Sequence, residues 1–141
     1  MSPGDLLGRI AVEQAILHLF DRLDAGDAAG VAGAFAPHGI WHHGGRACAG
    51  PAAIVAEMGR RPAGRRTVHL VSNLVVVQIG PMEAQVTFNT LTYAGRTPPD
   101  PQPAVLELPI ALDRYACVLT NDGGVWLVTR LESERLFAPA R

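Results

Sequence analysis

Four long strand patterns fill the second half of the chain and are joined by short turns. Apolar and β-branched residues dominate 67–79 and 83–94, with Gly80-Pro81 between them. After the proline-rich stretch RTPPDPQP, which favours a loop, a third pattern covers about 105–120. The turn sequence TNDGG then leads into the last strand, VWLVTRLESERLF. These patterns predict long antiparallel hairpins, and a sheet of that kind must bury at least one face.

Helical patterns precede the strands. The first predicted helix ends near Asp24 and carries apolar residues at helical spacing, namely Val12, Ile16, Leu19 and Leu23. Asp27 is expected to cap a short second helix, with Phe35 on its apolar side and Pro37 as its stop. A third helix is predicted over 50–59, because proline suits a first helical position and glycine suits the end.

This order of elements predicts an α+β fold in which three N-terminal helices pack on a strongly curved antiparallel sheet. A chain of 141 residues with 48% hydrophobic and 18% charged residues suits one globular domain, which we place at 1–141. Its two cysteines, Cys48 and Cys117, predict neither a disulfide framework nor a four-ligand metal site.

The charge balance gives no attraction for nucleic acid or for a membrane surface, since the net charge is −1. Four of the arginines lie in RRPAGRR, residues 60–66; Pro62 and Gly64 favour a solvated turn there over a phosphate-binding loop. The sequence shows no apolar run long enough to span a bilayer and no secretory signal pattern at its start. We therefore expect a cytoplasmic protein.

The strand pattern at 67–79 contains polar residues among apolar ones. Strict alternation puts Thr67, His69 and Asn73 on the same face as Val71, Val75 and Val77. Either the three polar groups are structural, with hydrogen-bond partners of their own, or this face lines a cavity that binds a ligand.

The other face of the same strand pattern is also mostly apolar. It carries Val68, Leu70, Leu74 and Val76, whereas a sheet with one solvated face alternates more cleanly. Because the helices are expected to cover the cavity side, a second copy of the chain is the expected cover for this side. The pattern therefore favours a homodimer.

The order and spacing of several strings resemble the SnoaL-like branch of the ketosteroid-isomerase-like superfamily, whose fold is shared by nuclear transport factor two and scytalone dehydratase. The strings are LFDRLDAGDAAGVAGAF, GIWHHGG, CAGPAAIVAEM, RTVHLVSNLVV and GGVWLVTRL, and the resemblance spans about 8–137. It implies a cone-shaped α+β barrel, open at one end, in which polar residues reach into an apolar cavity that takes a small hydrophobic molecule.

The resemblance also implies two catalytic residues. Asp24 in LDAGD and His69 in RTVHLVSN match an aspartate and a strand histidine of the dehydratase-type members, although the accompanying tyrosine and second histidine of those enzymes have no match here. Asp24 would hold His69 in one tautomer, and His69 would act as a general base without metal or cofactor. In the alternative interpretation, Asp24 is solvated and His69 bonds to a backbone carbonyl.

Six further residues are candidates for substrate binding. Trp41 and His43 share a face of the short strand GIWHH, with Trp41 as a pocket or core wall. His42 and His43 point to opposite faces, which argues against a metal site. Asn73 either orients a ligand oxygen or fixes the backbone. The other polar candidates, which either reach a substrate oxygen or pack in the sheet, are Asn89, Tyr93 and Tyr115.

Three functional hypotheses follow. The first is a cofactor-independent enzyme that transfers a proton on a small hydrophobic substrate, leading to isomerisation, dehydration or cyclisation. The second is a non-catalytic protein that binds a small molecule in the same cavity. The third is a dimeric interaction module on the same fold.

Overall fold

The computed structural model describes residues 1–100 and 102–137, without the side chains of 108–110. Pro101 of the expected proline-rich loop and the last four residues of the expected domain lie outside the described residues. The helices are α1 (Pro3–Asp24), α2 (Ala28–Gly33) and α3 (Pro51–Met58). The strands are β1 (Phe35–His43), β2 (Arg46–Ala49), β3 (Arg65–Ile79), β4 (Glu83–Arg96), β5 (Val105–Asp122) and β6 (Val125–Arg135).

All six strands of the described residues form one sheet in the order β2-β1-β6-β5-β4-β3. Neighbours are antiparallel except β1 and β6, which are parallel. The expected antiparallel sheet is thus a mixed one, because β1 and β6 are joined through most of the domain rather than by a hairpin. In the described chain β2 and β3 are the two edges, so the sheet curves without closing into a full barrel.

The three helices pack on one face of the sheet and form the core with it, which confirms the predicted α+β architecture. Val12, Ile16 and Leu19 of α1 are buried in one apolar cluster with Val86 and Phe88 of β4. The helix begins at a capping box in which Ser2 and Asp5 exchange hydrogen bonds. It ends before Gly26, whose φ of 71° suits glycine.

The region between α2 and α3 differs from the prediction. The second helix already ends at Gly33, so Phe35 and Pro37, expected in and after the helix, belong to the start of β1. The short strand β2 was not predicted. It pairs with β1 through a turn at Gly44 and Gly45, whose φ values of 58° and 78° are readily adopted by glycine.

A β-bulge interrupts β3 at Asn73, which has a φ of 53°. The pairing of β3 with β4 shifts between Ser72 and Val75, so the strand changes the face that each following residue presents. The expected alternation beyond residue 72 is therefore wrong. Residues 74 and 76 pack against the core, whereas Val75 and Val77 are 55% and 59% exposed.

The outer face of β3 carries exposed apolar residues on both sides of the bulge. Val68 and Leu70 precede the bulge, Val75 and Val77 follow it, and all four are exposed. On the neighbouring strand Tyr93 is opposite Val68 and is 36% exposed. An exposed apolar surface of this kind is typical of an interface.

Candidate active site

A cavity of about 720 Å³ lies between the inner face of the sheet and the residues that follow α3. Its wall includes His69 of β3, Trp41 and His43 of β1, and Tyr115 of β5. Arginine and carboxylate side chains line it as well, so the lining is mixed rather than uniformly apolar. The cavity lies where β3, β4 and β5 present inward side chains next to the end of α1.

Asp24 and His69 form a hydrogen-bonded pair at this wall. The Nδ1 atom of His69 is 2.5 Å from Oδ1 of Asp24, and the backbone N–H of His69 donates to Oδ2 at 2.8 Å. The side chain of His69 is 11% exposed and that of Asp24 is 18% exposed. Asp24 ends α1 and His69 lies near the start of β3, so the pair joins the first helix to the sheet.

Two further groups hold the Asp24 carboxylate. The hydroxyl of Thr67 donates to Oδ1 of Asp24 at 2.9 Å and accepts a hydrogen bond from Arg61 at 2.7 Å. Arg61 also donates to the backbone carbonyl of Leu23, in the last turn of α1. This guanidinium therefore satisfies a helix carbonyl and, through Thr67, supports the carboxylate beside it.

These contacts fix the charge of Asp24 and the tautomer of His69. Burial raises the pKa of the Asp24 carboxyl, but hydrogen bonds from His69 and Thr67 outweigh burial and hold that pKa below its ordinary value. An ionised carboxylate only accepts hydrogen bonds, so we assign the proton to Nδ1 of His69. Nε2 then carries the lone pair and is the basic atom of the pair.

An aromatic cluster adjoins the imidazole through Phe20. The ring of Phe20 is 5.1 Å from that of His69 and meets Tyr115 edge-on at 5.4 Å. Tyr115 stacks on Phe88 at 5.0 Å. Burial raises the pKa of Tyr115 to about 12, so its phenol is neutral at physiological pH; its hydroxyl is in hydrogen-bond contact with Ser133 and Thr90.

A second imidazole–carboxylate pair lines the same cavity. His43 stacks on Trp41 with ring centres 4.6 Å apart, and its Nδ1 is 2.8 Å from Oε1 of Glu57 on α3. Arg46 donates to both carboxylate oxygens of Glu57, from Nε at 2.9 Å and from Nη2 at 2.5 Å. Hydrogen bonds from Arg46 and His43 lower the pKa of Glu57 to about 2, although its side chain is only 3% exposed.

A third ion pair lies on the inner side of β5 and β6. Nε of Arg135 is 2.5 Å from Oδ1 of Asp113, and both residues line the cavity. Asp113 is opposite Thr90 of β4, whose hydroxyl is buried next to Tyr115. The polar part of the cavity lining thus extends from His69 on β3 to Arg135 on β6.

The structure brings five of the eight candidate residues to this site. Asp24, His69, Trp41, His43 and Tyr115 line the cavity or contact a residue that lines it. The remaining three lie elsewhere, which corrects their expected placement: they are Asn73, Asn89 and Tyr93.

Those three residues are outside the cavity for geometric reasons. The bulge turns Asn73 outward and leaves it exposed. Asn89 accepts a hydrogen bond from Arg114 at 3.2 Å, on the outer side of the sheet. Tyr93 lines a shallow outer groove with Val68. Asn89 and Tyr93 point to the outer face of β4, whereas Thr90 and Thr92 are among the residues that point to its inner face.

Sequence reasoning missed several residues of the cavity wall. Glu57 lies three residues after Ile54 and next to Met58, and all three are buried. A lone carboxylate on the apolar face of α3 could therefore have indicated that Glu57 belongs to a site. Arg61 was assigned to a solvated turn, and nothing in its local pattern indicates that it reaches Leu23 and Thr67.

No group of three or more histidine, cysteine, aspartate or glutamate side chains is arranged to hold a metal ion within residues 1–100 and 102–137. In the same part of the chain, no helix combines the length and the apolar composition needed to cross a bilayer.

Together, the helices on a curved sheet and the histidine–aspartate pair at the cavity wall define a cone-shaped α+β protein with a candidate acid–base site. Residues 5–132 match the family model described as the SnoaL-like domain, and the chain belongs to this family. A comparison with curated proteins gave no match.

Solved structures share the fold at low sequence identity. A protein from Catenulispora acidiphila is 24% identical, with 94% of each chain covered and a TM-score of 0.74. A scytalone dehydratase-like protein from Novosphingobium aromaticivorans is 19% identical, covering 100% of this chain and 94% of that chain, with a TM-score of 0.79. A type 2 hexachlorocyclohexane dehydrochlorinase (LinA) is 14% identical, with 94% and 88% covered and a TM-score of 0.77. At these identities the likeness shows the fold.

Proposed function

We propose that this protein is a cofactor-independent lyase or isomerase that removes a proton from carbon next to a carbonyl group of a small, largely hydrophobic molecule. The observation that carries the proposal is the pairing of His69 Nδ1 with the ionised Asp24 carboxylate at the wall of the cavity. A base held in one tautomer, with its other nitrogen free, is what such a proton transfer needs.

The reaction steps follow from these atoms. Nε2 of His69 takes the proton, the C–H electron pair becomes the π-bond of an enolate, and the Asp24 carboxylate stabilises the imidazolium. The neutral phenol of Tyr115 lines the same cavity as His69 and is our candidate donor for the enolate oxygen. Return of the proton to another carbon gives isomerisation. Loss of a β-hydroxyl group, which takes the proton from the imidazolium and leaves as water, gives dehydration.

Elimination is the branch favoured by the names of the similar structures. One is named for a dehydratase and another for a dehydrochlorinase, and both kinds of enzyme form a double bond as a small molecule departs. This support is an analogy at the level of the fold, whereas the proton-transfer step rests on the residues of this chain.

Exchange of α-protons for solvent deuterium tests the proposal without knowledge of the natural substrate. Aryl β-hydroxy ketones are incubated with the protein in D₂O, and NMR follows loss of the α-proton while absorbance follows formation of the enone. We expect the wild type to accelerate exchange and His69→Gln to abolish the acceleration, since glutamine keeps polarity without basicity.

His18→Gln is the matched control, because His18 lies exposed on α1 away from the cavity. It should exchange protons at the wild-type rate. Exchange in His69→Gln at the wild-type rate would remove this imidazole from the chemistry and leave a non-catalytic binding function for the cavity.

Homodimer formation is also part of the proposal. The exposed apolar residues of β3 form a strip on the outer face of the sheet that is interrupted at the bulge by Ser72 and Asn73; they are Val68, Leu70, Val75 and Val77. In a two-fold symmetric dimer, this strip would pack against the same strip of a second copy of the chain. The helices occupy only the inner face, so such a contact leaves the cavity unobstructed.

A further inference from the structure

Four arginines line one side of the cavity, contributed by β2, by the loop after α3 and by the start of β3: Arg46, Arg60, Arg61 and Arg65. Two of them share one carboxylate. Arg46 binds Glu57 through two nitrogens, and Nε of Arg60 is 3.5 Å from Oε2 of the same group. Glu57 also pairs with His43. Its single negative charge therefore does not balance the two positive charges of Arg46 and Arg60.

The other two arginines lie close together. Arg61 is held by Leu23 and Thr67 next to Asp24. Burial lowers the pKa of Arg61, Asp24 opposes that effect, and the positive charge of Arg65 lowers the pKa further. The Arg65 side chain has no ion pair or hydrogen bond within the described part of the chain. This side of the cavity thus carries four positive charges against the two carboxylates of Asp24 and Glu57; Glu107, which also lines the cavity, is already paired with Arg96 at 2.9 Å.

Three backbone N–H groups of the same loop already have partners. The N–H groups of Arg60, Arg61 and Arg65 donate to the carbonyls of Glu57, Met58 and Pro62. A phosphate-binding loop instead points successive backbone N–H groups at the anion. Guanidinium groups are the charged donors available to a ligand here, and their planar fork matches a carboxylate in two parallel hydrogen bonds.

The remaining wall accepts an apolar body. Leu23, Trp41, Met58, Ala94 and Ala111 line the same cavity as the arginines. A volume of about 720 Å³ is within the range of cavities that enclose a small ring system. A cavity with an apolar wall and a cationic side suits an amphipathic ligand that has one anionic end.

We propose that the cavity binds a small cyclic carboxylic acid, with the carboxylate on Arg65 and the ring against Trp41 and Met58. The proposal rests on the proposed function in taking this cavity as the substrate site, and it adds the substrate class. It also gives the segment 60–66 a role as a binding loop in place of the solvated turn expected from its sequence.

Calorimetric titration of the whole protein with 2-naphthoate and with its uncharged methyl ester tests this inference. We expect the acid to bind about tenfold more tightly than the ester, as a charge-assisted pair at a partly exposed site would give. The preference should shrink as salt is raised. Equal affinities, or no binding of 2-naphthoate at millimolar concentration, would overturn the proposal.

Arg65→Gln and Arg66→Gln are a matched pair of variants. The two residues are adjacent on β3 and exposed, but Arg65 lines the cavity and Arg66 lines the outer groove. The preference for the acid should be lost in Arg65→Gln and kept in Arg66→Gln. A preference that survives in Arg65→Gln would refute the site, and tighter, Arg65-dependent binding of 2-naphthyl phosphate would refute the carboxylate assignment.

The same titrations separate this inference from the proposed function. His69→Gln should bind 2-naphthoate with at least half the wild-type affinity and lack proton exchange. If His69→Gln keeps exchange, the proposed function fails while the acid preference stands. If the acid preference is absent while His69 is required for exchange, the substrate class fails alone.

Discussion

The Nδ1 atom of His69 lies 2.5 Å from Oδ1 of Asp24, although 45 positions separate the two residues in the chain. Asp24 reaches His69 because α1 ends beside the start of β3, where Arg61 binds the last-turn carbonyl of Leu23 and the Thr67 hydroxyl. A carboxylate at a helix C-terminus opposes the helix dipole, and the donors around Asp24 offset that cost. These donors thus stabilise the negative charge of Asp24 at a helix end whose dipole would disfavour it.

Asp24→Asn should reduce proton exchange by about 10²–10⁴-fold, because the neutral amide neither stabilises the imidazolium nor holds the tautomer that leaves Nε2 basic. Exchange rates by NMR, with circular dichroism for folding, provide the measurement. Asp21→Asn, an exposed α1 variant, should match the wild type. An Asp24→Asn protein with unchanged exchange would show that this carboxylate is structural.

Thr67→Val should lower kcat while KM stays within about twofold, since the hydroxyl positions Asp24 without lining the reacting end of the base. The loss of its hydrogen bonds to Asp24 and Arg61 should also cost about 1–3 kcal/mol in the free energy of unfolding. Thr67→Ser keeps the hydroxyl and should restore kcat. If serine fails to restore it, the methyl packing rather than the hydrogen bond is what matters.

The fold was predictable because its signals are long and local. The strand patterns of residues 67–79 and 83–94 reproduce β3 and β4 within two residues at either end. Helix α3 was bounded correctly by Pro51 and Gly59. The short strand β2 and the parallel pairing of β1 with β6 were not predictable in this way, because the partners are chosen by the tertiary fold.

The site was predictable only in part, for a related reason. The resemblance indicated Asp24 and His69, whereas Glu57, Arg61 and Arg65 enter the cavity through the path of the loop after α3, which has no periodicity. The bulge at Asn73 had no local signal either. One extra residue there exchanged the faces assigned to Leu74 and Val75.

Asn73 offers a direct test of the bulge. Its φ of 53° is tolerated by asparagine and glycine but disfavoured for alanine, so Asn73→Ala should lower the free energy of unfolding by about 1–2 kcal/mol. Asn73→Gly should stay close to the wild type. Urea unfolding monitored by fluorescence measures both variants. Equal stability of the alanine and glycine variants would mean that residue 73 is not in the left-handed conformation.

The outer face of the sheet leads to a prediction about assembly. Sedimentation equilibrium should give the mass of two chains for the wild type and of one chain for Leu70→Glu, because the charge would be buried in the contact. Val125→Glu is the control, since Val125 is 59% exposed at the β5–β6 hairpin. A monomeric wild type, or a Leu70→Glu dimer, would remove the β3 strip from the proposed interface.

Glu57 should make stability depend on pH in acid. Hydrogen bonds from Arg46 and His43 lower the pKa of Glu57 from 4.5 to about 2 in the folded protein. Between these values the unfolded chain binds the proton and the folded chain does not, so the free energy of unfolding rises with pH across this window and falls on acidification.

Glu57→Gln removes this contribution. The variant should be less stable than the wild type at pH 7, because Arg46 loses its charged partner, and the difference should narrow from pH 4.5 towards pH 2 by at most about 1.4 kcal/mol per pH unit. Glu13→Gln, on the exposed side of α1, should follow the wild-type curve. Urea unfolding at several pH values provides the comparison. If Glu57→Gln loses stability in acid as steeply as the wild type, the carboxylate is not held ionised by Arg46 and His43, and the charge balance of the arginine side of the cavity changes with it.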